Sequence, residues 1–506
     1  MKQRRNGEGM KKLCYKTLEE MNFDGYLLKD APERILQFGE GNFLRAFVDY
    51  FVDMMNERCG FNSKIVLVQP IEGGERIKEF INGQEGLYTL FLRGNENGQK
   101  VNDRRVISSV SRCLNPYTEY ESYMECAKNP ELRFIACNTT EAGIAYDASC
   151  QFGDKPASSY PGKLTQFLYA RYQAFGKEKG KGFVILSCEL IDDNGKELEK
   201  CVLQYANTWE LGEEFIQWIR EENIFCSTLV DRIVTGYPRS EAASICEELG
   251  YEDNVIDTGE VFGFWVIEGP ESLKAELPFE KAGLPVLITD NHKPYKQRKV
   301  RILNGAHTSM VLGAYLAGQD IVRDCMKDDV IRGFMNQAIY KEIIPTLTLP
   351  EEELLDFAKS VTDRFDNPFI DHALLSISLN STSKWKARVM PSLKGYVEKF
   401  QALPECLTAS LAFYIAFYRG VRLDEKGFAG LRGEQEYPIS DDKSILEFYN
   451  AHRKDDAQTL AKAVLSNTAF WGEDLTEIPG LEKAVAEDLK TIEEKGAYEL
   501  MKGVLK

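Results

Sequence analysis

Two hydrophobic rhythms divide the chain. In the first part, short runs rich in β-branched and apolar residues at 34–38, 64–68, 133–137, 183–188 and 286–289 read as buried strands. Amphipathic stretches lie between them. Over 43–57, Phe43, Phe47, Tyr50, Phe51 and Met54 fall on one helical face. Strands alternating with helices predict a parallel α/β sheet. From about Lys293 the strand-like runs stop and helical spacing takes over. Pro350 ahead of Glu351, Glu352 and Glu353 marks a helix start, with acids facing the positive end of the helix dipole. Gly420 is placed to close a helix over 408–419. The segment after Leu423 keeps helical spacing and is expected to pack as helices. The expected fold class is α/β: an N-terminal Rossmann-type dinucleotide-binding domain over 1–290, then a mainly α-helical C-terminal domain over 291–506.

Composition narrows the possible functions. A chain of 506 residues with 43% hydrophobic content has material for two or three cores, which excludes disorder, collagen and coiled coil. Lys+Arg number 62 against 79 Asp+Glu, a net charge of −17. That balance argues against nucleic acid or a membrane surface as partner. It leaves room for an anionic small molecule, because a local basic pocket can sit on an acidic protein. The twelve cysteines are scattered without a C-x-x-C, and the four histidines (His292, His307, His372, His452) show no zinc spacing. No metal site is expected, and scattered single cysteines fit a reducing cytoplasm. Residues 1–12 are polar and basic and do not read as a signal peptide. The apolar run at 411–418 is too short to span a bilayer.

The first strand runs into Phe38, Gly39, Glu40, Gly41, Asn42, Phe43, Leu44 and Arg45. Strand, G-x-G, helix is the arrangement that cradles a dinucleotide pyrophosphate: glycines let the backbone turn tightly, and the helix start offers free N–H groups. A plain tight turn is the competing reading. Leu44 stands where a third glycine would be, and the second strand ends in Gln69 and Pro70 with no acid for a ribose diol. After the strand at 133–137 come Asn138, Thr139 and Thr140, where such sheets bind ligand. A helix N-cap by Thr139 or Thr140 is the equal alternative there.

The most unusual stretch is 293–308, with five basic residues (Lys293, Lys296, Arg298, Lys299, Arg301) in nine positions of an acidic protein. On an α-helix at ~100° per residue, Lys299, His307 and Asn304 fall at about 0°, 80° and 140°, on one broad face with Val300 and Leu303. An apolar face carrying a lysine, an amide and an imidazole costs several kcal/mol unless those groups are paired or used. The set suits carbonyl chemistry. A lysine in an apolar cleft can exchange a proton near neutral pH. An Asn amide and a His N–H can donate to a developing alkoxide.

These segments, together with Glu141, Ala142 and Gly143, Cys188 to Asp192, Phe225 to Ile233, and Arg364 to Pro368, resemble the polyol-specific long-chain dehydrogenase family, the mannitol dehydrogenase-like enzymes, from about Pro32 to the C-terminus. The resemblance implies a metal-independent oxidoreductase using NAD, in its branch acting on a hexuronate. The family's Lys-x4-Asn-x2-His signature falls on Lys299, Asn304 and His307: the lysine as general acid/base, the other two polarising the keto oxygen. Cofactor contacts are expected among Phe38, Gly39, Glu40, Gly41, Asn42, Phe43, Arg45, Asn138, Thr139 and Thr140. Lys384 matches a substrate-binding lysine, and Asp231 lies in the family's active-site segment. Leu190 and Ser376 replace an Asn and an Arg of the mannitol-type pattern, which favours a different substrate. A substrate carboxylate needs a cation. Lys384, Arg301 and Arg364 are in line for it, with Arg301 at about 200° from Lys299 pointing away. The implied protein is a monomer or small homo-oligomer taking a small sugar acid. A mannitol-type or sister ketouronate oxidoreductase and a non-catalytic dinucleotide sensor are the alternatives, and the intact Lys–Asn–His set speaks against the sensor.

Overall fold

A computed structural model describes residues 10–96, 98–140, 142–176, 178–425 and 427–505. Most of the N-terminal stretch read for a signal peptide (1–9), and Glu141 of the Asn138–Gly143 motif, lie outside the described residues. The chain forms two compact units: Met1–Arg93 with Val101–His292, and Gly94–Lys100 with Lys293–Lys506.

The first unit is built on β1 (Glu33–Phe38), β2 (Lys64–Val68), β3 (Tyr88–Glu96), β4 (Gln99–Ile107), β5 (Val110–Leu114), β6 (Phe134–Cys137), β7 (Val184–Ser187), β8 (Ile224–Asp231), β9 (Asp257–Glu260), β10 (Phe264–Glu268) and β11 (Val286–Thr289). Eight of them form one sheet in the order β11-β10-β8-β7-β6-β1-β2-β5. From β5 across to β8 all pairs are parallel, as strands alternating with helices predict. The far edge departs from that expectation: β10 runs antiparallel to β8. β1 is followed outward by β2 and β5, and the chain then returns to place β6 on its other side. The strand order reverses between β1 and β6, and ligands of open α/β sheets bind at the carboxyl ends of the strands at such a point. The strands are apolar on both faces because helices cover both. One core packs Leu67, Phe134 and Leu186 beneath Phe47 and Phe51. The other packs Leu36, Ile135 and Ile185 against Leu164 and Phe167.

The helix after β1 begins at Asn42 and continues to Cys59 through a π-helical turn over Arg45–Asp49. Phe47, Phe51 and Met54 are buried as their spacing predicts, while Phe43 and Tyr50 are only partly covered. Asp49 and Asp53 are buried on this helix as well, which amphipathic spacing did not foresee. Asp53 is held there by accepting from the Ser108 N–H at 2.8 Å and Arg105 Nε at 2.7 Å. A second sheet, β4-β3-β9, was not anticipated either.

The second unit is mainly helical, and Glu351–Phe365 forms where the Pro–Glu–Glu–Glu start places it. Three sequence expectations need correction in the molecule. The segment after Leu423 is not all helix: β12 (Arg422–Asp424), β13 (Gly427–Arg432) and β14 (Gln435–Ile439) make an antiparallel sheet. Its period-2 burial, at Tyr437 and Ile439, is too brief and too interrupted by charge to stand out from helical spacing. Gly420 does not close a helix in the left-handed conformation. The helix Glu405–Tyr418 is capped at Arg419, and Gly420 is small because a Cβ there would lie 2.3 Å from the Phe428 ring. Thr139 and Thr140 cap no helix, since the next one among the described residues begins at Tyr160. The apolar run at 411–418 lies in the buried helix Glu405–Tyr418, and among the described residues no helix is long and apolar enough to cross a membrane.

Candidate active site

In the first unit the glycine turn sits at the carboxyl end of β1, beside the end of β6. Gly39 has φ +131°, a conformation side chains rarely adopt, and its N–H donates to the Val68 carbonyl at 2.9 Å. A Cβ on Gly39 would lie 2.9 Å from Leu44 Cδ1, so Leu44 fills the space that a third glycine would leave open. Gly41 has an ordinary φ of −67° and is exposed, and a Cβ there would meet nothing within 4 Å. The protein gives Gly41 no packing reason to lack a side chain; a ligand phosphate approaching the helix start would give one. That start has no side-chain cap on its first N–H groups.

The other expected cofactor residues divide into those facing the cleft and those building it. Phe38 is fully buried, its ring 5.0 Å from Tyr160, so only its backbone reaches the turn. Arg45 is turned inward: it donates to the carbonyls of Glu40 at 3.0 Å and Val255 at 2.6 Å and to Asn42 Oδ1 at 2.7 Å. It shapes the turn from behind. Glu40 is half-buried, and burial raises its carboxyl pKa. Asn138 Nδ2 donates to the Cys188 carbonyl at 3.0 Å. The Thr139 N–H and hydroxyl both donate to Glu189 Oε1, at 2.9 and 3.0 Å. Glu189 is buried, which pushes its pKa up, and it was not singled out from the sequence. Thr140 has φ +101°, a costly conformation of the kind held at ligand sites. A cavity of about 570 Å³ opens here, lined by Phe43, Asn138, Thr140, Ala142, Leu190 and Val230. Its volume, its position at the strand-order reversal and the open space over Gly41 fit a dinucleotide. Asp231, at the end of β8, is buried. Arg232 beside it donates to the Ala46 carbonyl at 2.6 Å, tying β8 to the helix of the glycine turn.

In the second unit, Lys299 to His307 do not lie on a plain α-helix. Lys293–Arg298 is α-helical, Lys299–Asn304 is a π-helical turn, and Gly305–Leu316 is α-helical again. The Gly305 N–H reaches the Val300 carbonyl, five residues back. The expected 140° between Lys299 and Asn304 is therefore corrected: a π turn links residue i to i+5 through the backbone and brings the two closer around the helix axis. His307 comes three residues after Asn304 on the same side. All three are half-buried.

The His307 ring stacks on Phe365 at 3.9 Å and meets the His372 ring edge-on at 5.7 Å. Its Nε2 is enclosed and accepts or donates no hydrogen bond among the described residues. Burial, then the nearby His372, Arg364, Arg388 and Lys384, hold its pKa well below the usual imidazole value, so the ring is neutral. Lys384 Nζ donates to the Ile377 carbonyl at 2.8 Å, and burial and Arg388 lower its pKa. Arg301 donates to Ser392 Oγ at 3.2 Å, and Ser376 is exposed. His372 and Arg388 were not picked out as site residues from the sequence, and Phe365 entered only within the Arg364–Pro368 segment, without a role. Only Arg388 carried a signal, as a second cation one helical turn after Lys384.

The mannitol dehydrogenase Rossmann-domain family model matches residues 33–281, and the mannitol dehydrogenase C-terminal-domain model matches 291–493. Altronate oxidoreductases of Escherichia coli O7:K1 (strain IAI39) and Shigella flexneri are each 49% identical over 494 residues, 96% of this chain and 99% of theirs. Among solved structures, D-sorbitol dehydrogenase in substrate-free form superposes with a TM-score of 0.79 at 23% identity, over 97% of this chain and 100% of that one. Mannitol 2-dehydrogenase of Pseudomonas fluorescens, in a ternary complex with NAD and D-mannitol, does so with a TM-score of 0.68 at 24% identity, over 98% and 99%. At that identity the two structures share the fold.

Proposed function

The chain belongs to the mannitol dehydrogenase family and is a polyol or sugar-acid dehydrogenase, and we propose that it interconverts D-tagaturonate and D-altronate with NADH and NAD. The observation that carries this reading is the 49% identity to altronate oxidoreductases along nearly the whole of both chains. NAD is supported by the open cradle at Gly41 and the cavity beside it, in a Rossmann domain. The first unit carries the cofactor and the second the reacting sugar acid.

In the reduction, the Gly39–Gly41 turn and the helix start at Asn42 hold the pyrophosphate, and Asn138 and Thr140 line the cavity next to it. When bound, NADH supplies the hydride. Lys299 gives a proton to the keto oxygen as it becomes a hydroxyl, and takes that proton back in the oxidation. Asn304, brought closer to Lys299 around the helix axis by the π turn, and neutral His307 donate hydrogen bonds to the same oxygen and stabilise its developing charge. No step assigned to these residues requires a metal.

NADH oxidation measured side by side with D-tagaturonate, D-fructuronate and D-fructose tests the substrate. The highest kcat/KM belongs to tagaturonate; a preference for either of the others transfers the enzyme to a sister activity. The second test is Lys299→Ala, with kcat expected to fall by about 10²–10⁴-fold while the Kd for NADH is kept. Normal turnover by that variant would remove Lys299 from the chemistry.

A further inference from the structure

The helix Ser381–Arg388 carries two cations one turn apart, Lys384 and Arg388. Like charges at this spacing repel, and partial burial adds the cost of drawing each away from water. Neither is neutralised by an acid. Lys384 donates to the Ile377 carbonyl, and Arg388 reaches only the Thr308 hydroxyl, at 3.5 Å; among the described residues neither forms an ion pair. Asp441, whose field reaches Lys384, uses its Oδ2 to accept from Thr382 Oγ1 at 2.8 Å and from the Tyr418 hydroxyl at 2.7 Å. His372 and Arg364 also send their fields to His307. Two neighbouring cations without an ion-pair partner among the described residues thus sit in a protein of net charge −17.

Arg388 is fixed next to the Lys–Asn–His helix. Its carbonyl lies 3.2 Å from the position a Cβ on Gly305 would take, so a glycine directly after Asn304 lets the end of its helix come this close. Its guanidinium donates to the hydroxyl of Thr308, the neighbour of His307, and the residue is half-buried. We propose that Arg388 binds the carboxylate of the sugar acid and is the residue that selects a hexuronate over a neutral ketose. The assignment rests on the hexuronate reading above and adds which cation recognises the acid. A guanidinium presents two parallel N–H donors that match the two carboxylate oxygens, whereas Lys384, already committed to Ile377, offers a single point charge. Arg301 is engaged with Ser392.

The test compares kcat/KM for D-tagaturonate with that for D-tagatose, the neutral ketose with a hydroxymethyl in place of the carboxylate, in the wild type, Arg388→Leu and Arg388→Lys. Where tagatose turnover is too slow, inhibition constants of D-altronate and altritol give the same ratio. The acid-to-neutral ratio is expected to fall about 10–100-fold in Arg388→Leu and by less in Arg388→Lys, with the Kd for NADH unchanged. A ratio in Arg388→Leu equal to the wild type's, or equal losses on both compounds, overturns the assignment. Wild-type protein that turns over no ketouronate overturns the hexuronate reading instead, and is recognised before any variant is made. If Arg388→Leu fails to fold by circular dichroism, Arg388→Lys and Arg388→Gln carry the comparison.

Discussion

His307 is the residue whose chemistry depends most on its surroundings. Enclosed against Phe365 and ringed by His372, Arg364, Arg388 and Lys384, it holds its neutral form well below the pH at which a free imidazole charges. A neutral ring with one N–H can donate to the substrate oxygen at any pH the enzyme works in. The pH profile of kcat/KM is therefore expected to show no ionisation near 6.5 that disappears in His307→Asn; a limb lost in that variant would mean the ring titrates. The same depression sets the sign for stability. Below pH 6.5 the unfolded chain takes up a proton that folded His307 refuses, so this group lowers stability as pH falls. The two glycines of the turn also differ. Gly39→Ala forces φ +131° on a side chain and a 2.9 Å contact on Leu44, and is expected to cost about 1–3 kcal/mol in urea unfolding. Gly41→Ala puts its methyl into open space, so unfolding stays within about 0.5 kcal/mol while the Kd for NADH rises. Unchanged NADH binding in Gly41→Ala would remove the phosphate from that position.

At the scale of elements, the glycine turn and the Lys–Asn–His segment each belong to a helix interrupted by a π turn, Arg45–Asp49 in the first unit and Lys299–Asn304 in the second. Such a turn inserts a residue into the helical ladder and rotates the side chains beyond it. Lys299 and Asn304, five residues apart, would be about 140° apart on an α-helix, and the turn brings them closer around the axis. Inserting an alanine after Val300 lengthens the spacing of Lys299 and Asn304 to six residues, about 240° on an α-helix, and is expected to turn Asn304 and His307 away from Lys299 and abolish kcat while leaving NADH affinity intact. Retained activity in the insertion would show that the turn is incidental. The strands and the amphipathic helices were legible because burial imposes a period of 2 or 3.6 on the residues. The π turns were not, because they arise from how the helix must pack and leave no period of their own. The sheet of β12, β13 and β14 was missed for a related reason: three short strands with charged outer positions look much like helical spacing.

For the whole molecule, the acidic surface and the buried groups respond to pH separately. Burial raises the carboxyl pKa of Asp49 and of Asp257 to about 7. Between the unfolded value near 4 and about 7, the folded protein keeps protons that the unfolded chain has released, so stability falls as pH rises through that window and levels off above it. Asp257→Asn removes one of these groups. Its stability relative to the wild type, from urea unfolding, is expected to be about 1 kcal/mol or more better at pH 8 than at pH 4.5. A difference that does not change with pH would mean the carboxyl is ionised throughout. Alternating strands and helices, the G-x-G turn and the Lys–Asn–His spacing were readable in one dimension, because each is a local pattern that backbone geometry or a single reaction imposes on neighbours in the chain. Which residues join them was settled by packing. Glu189 holds Thr139 from 50 positions away, Phe365 and His372 enclose His307, and Arg388 meets Thr308 across 80 positions. Burial, unpaired charge and close approach are relations between residues that only folding makes neighbours, so no local pattern records them.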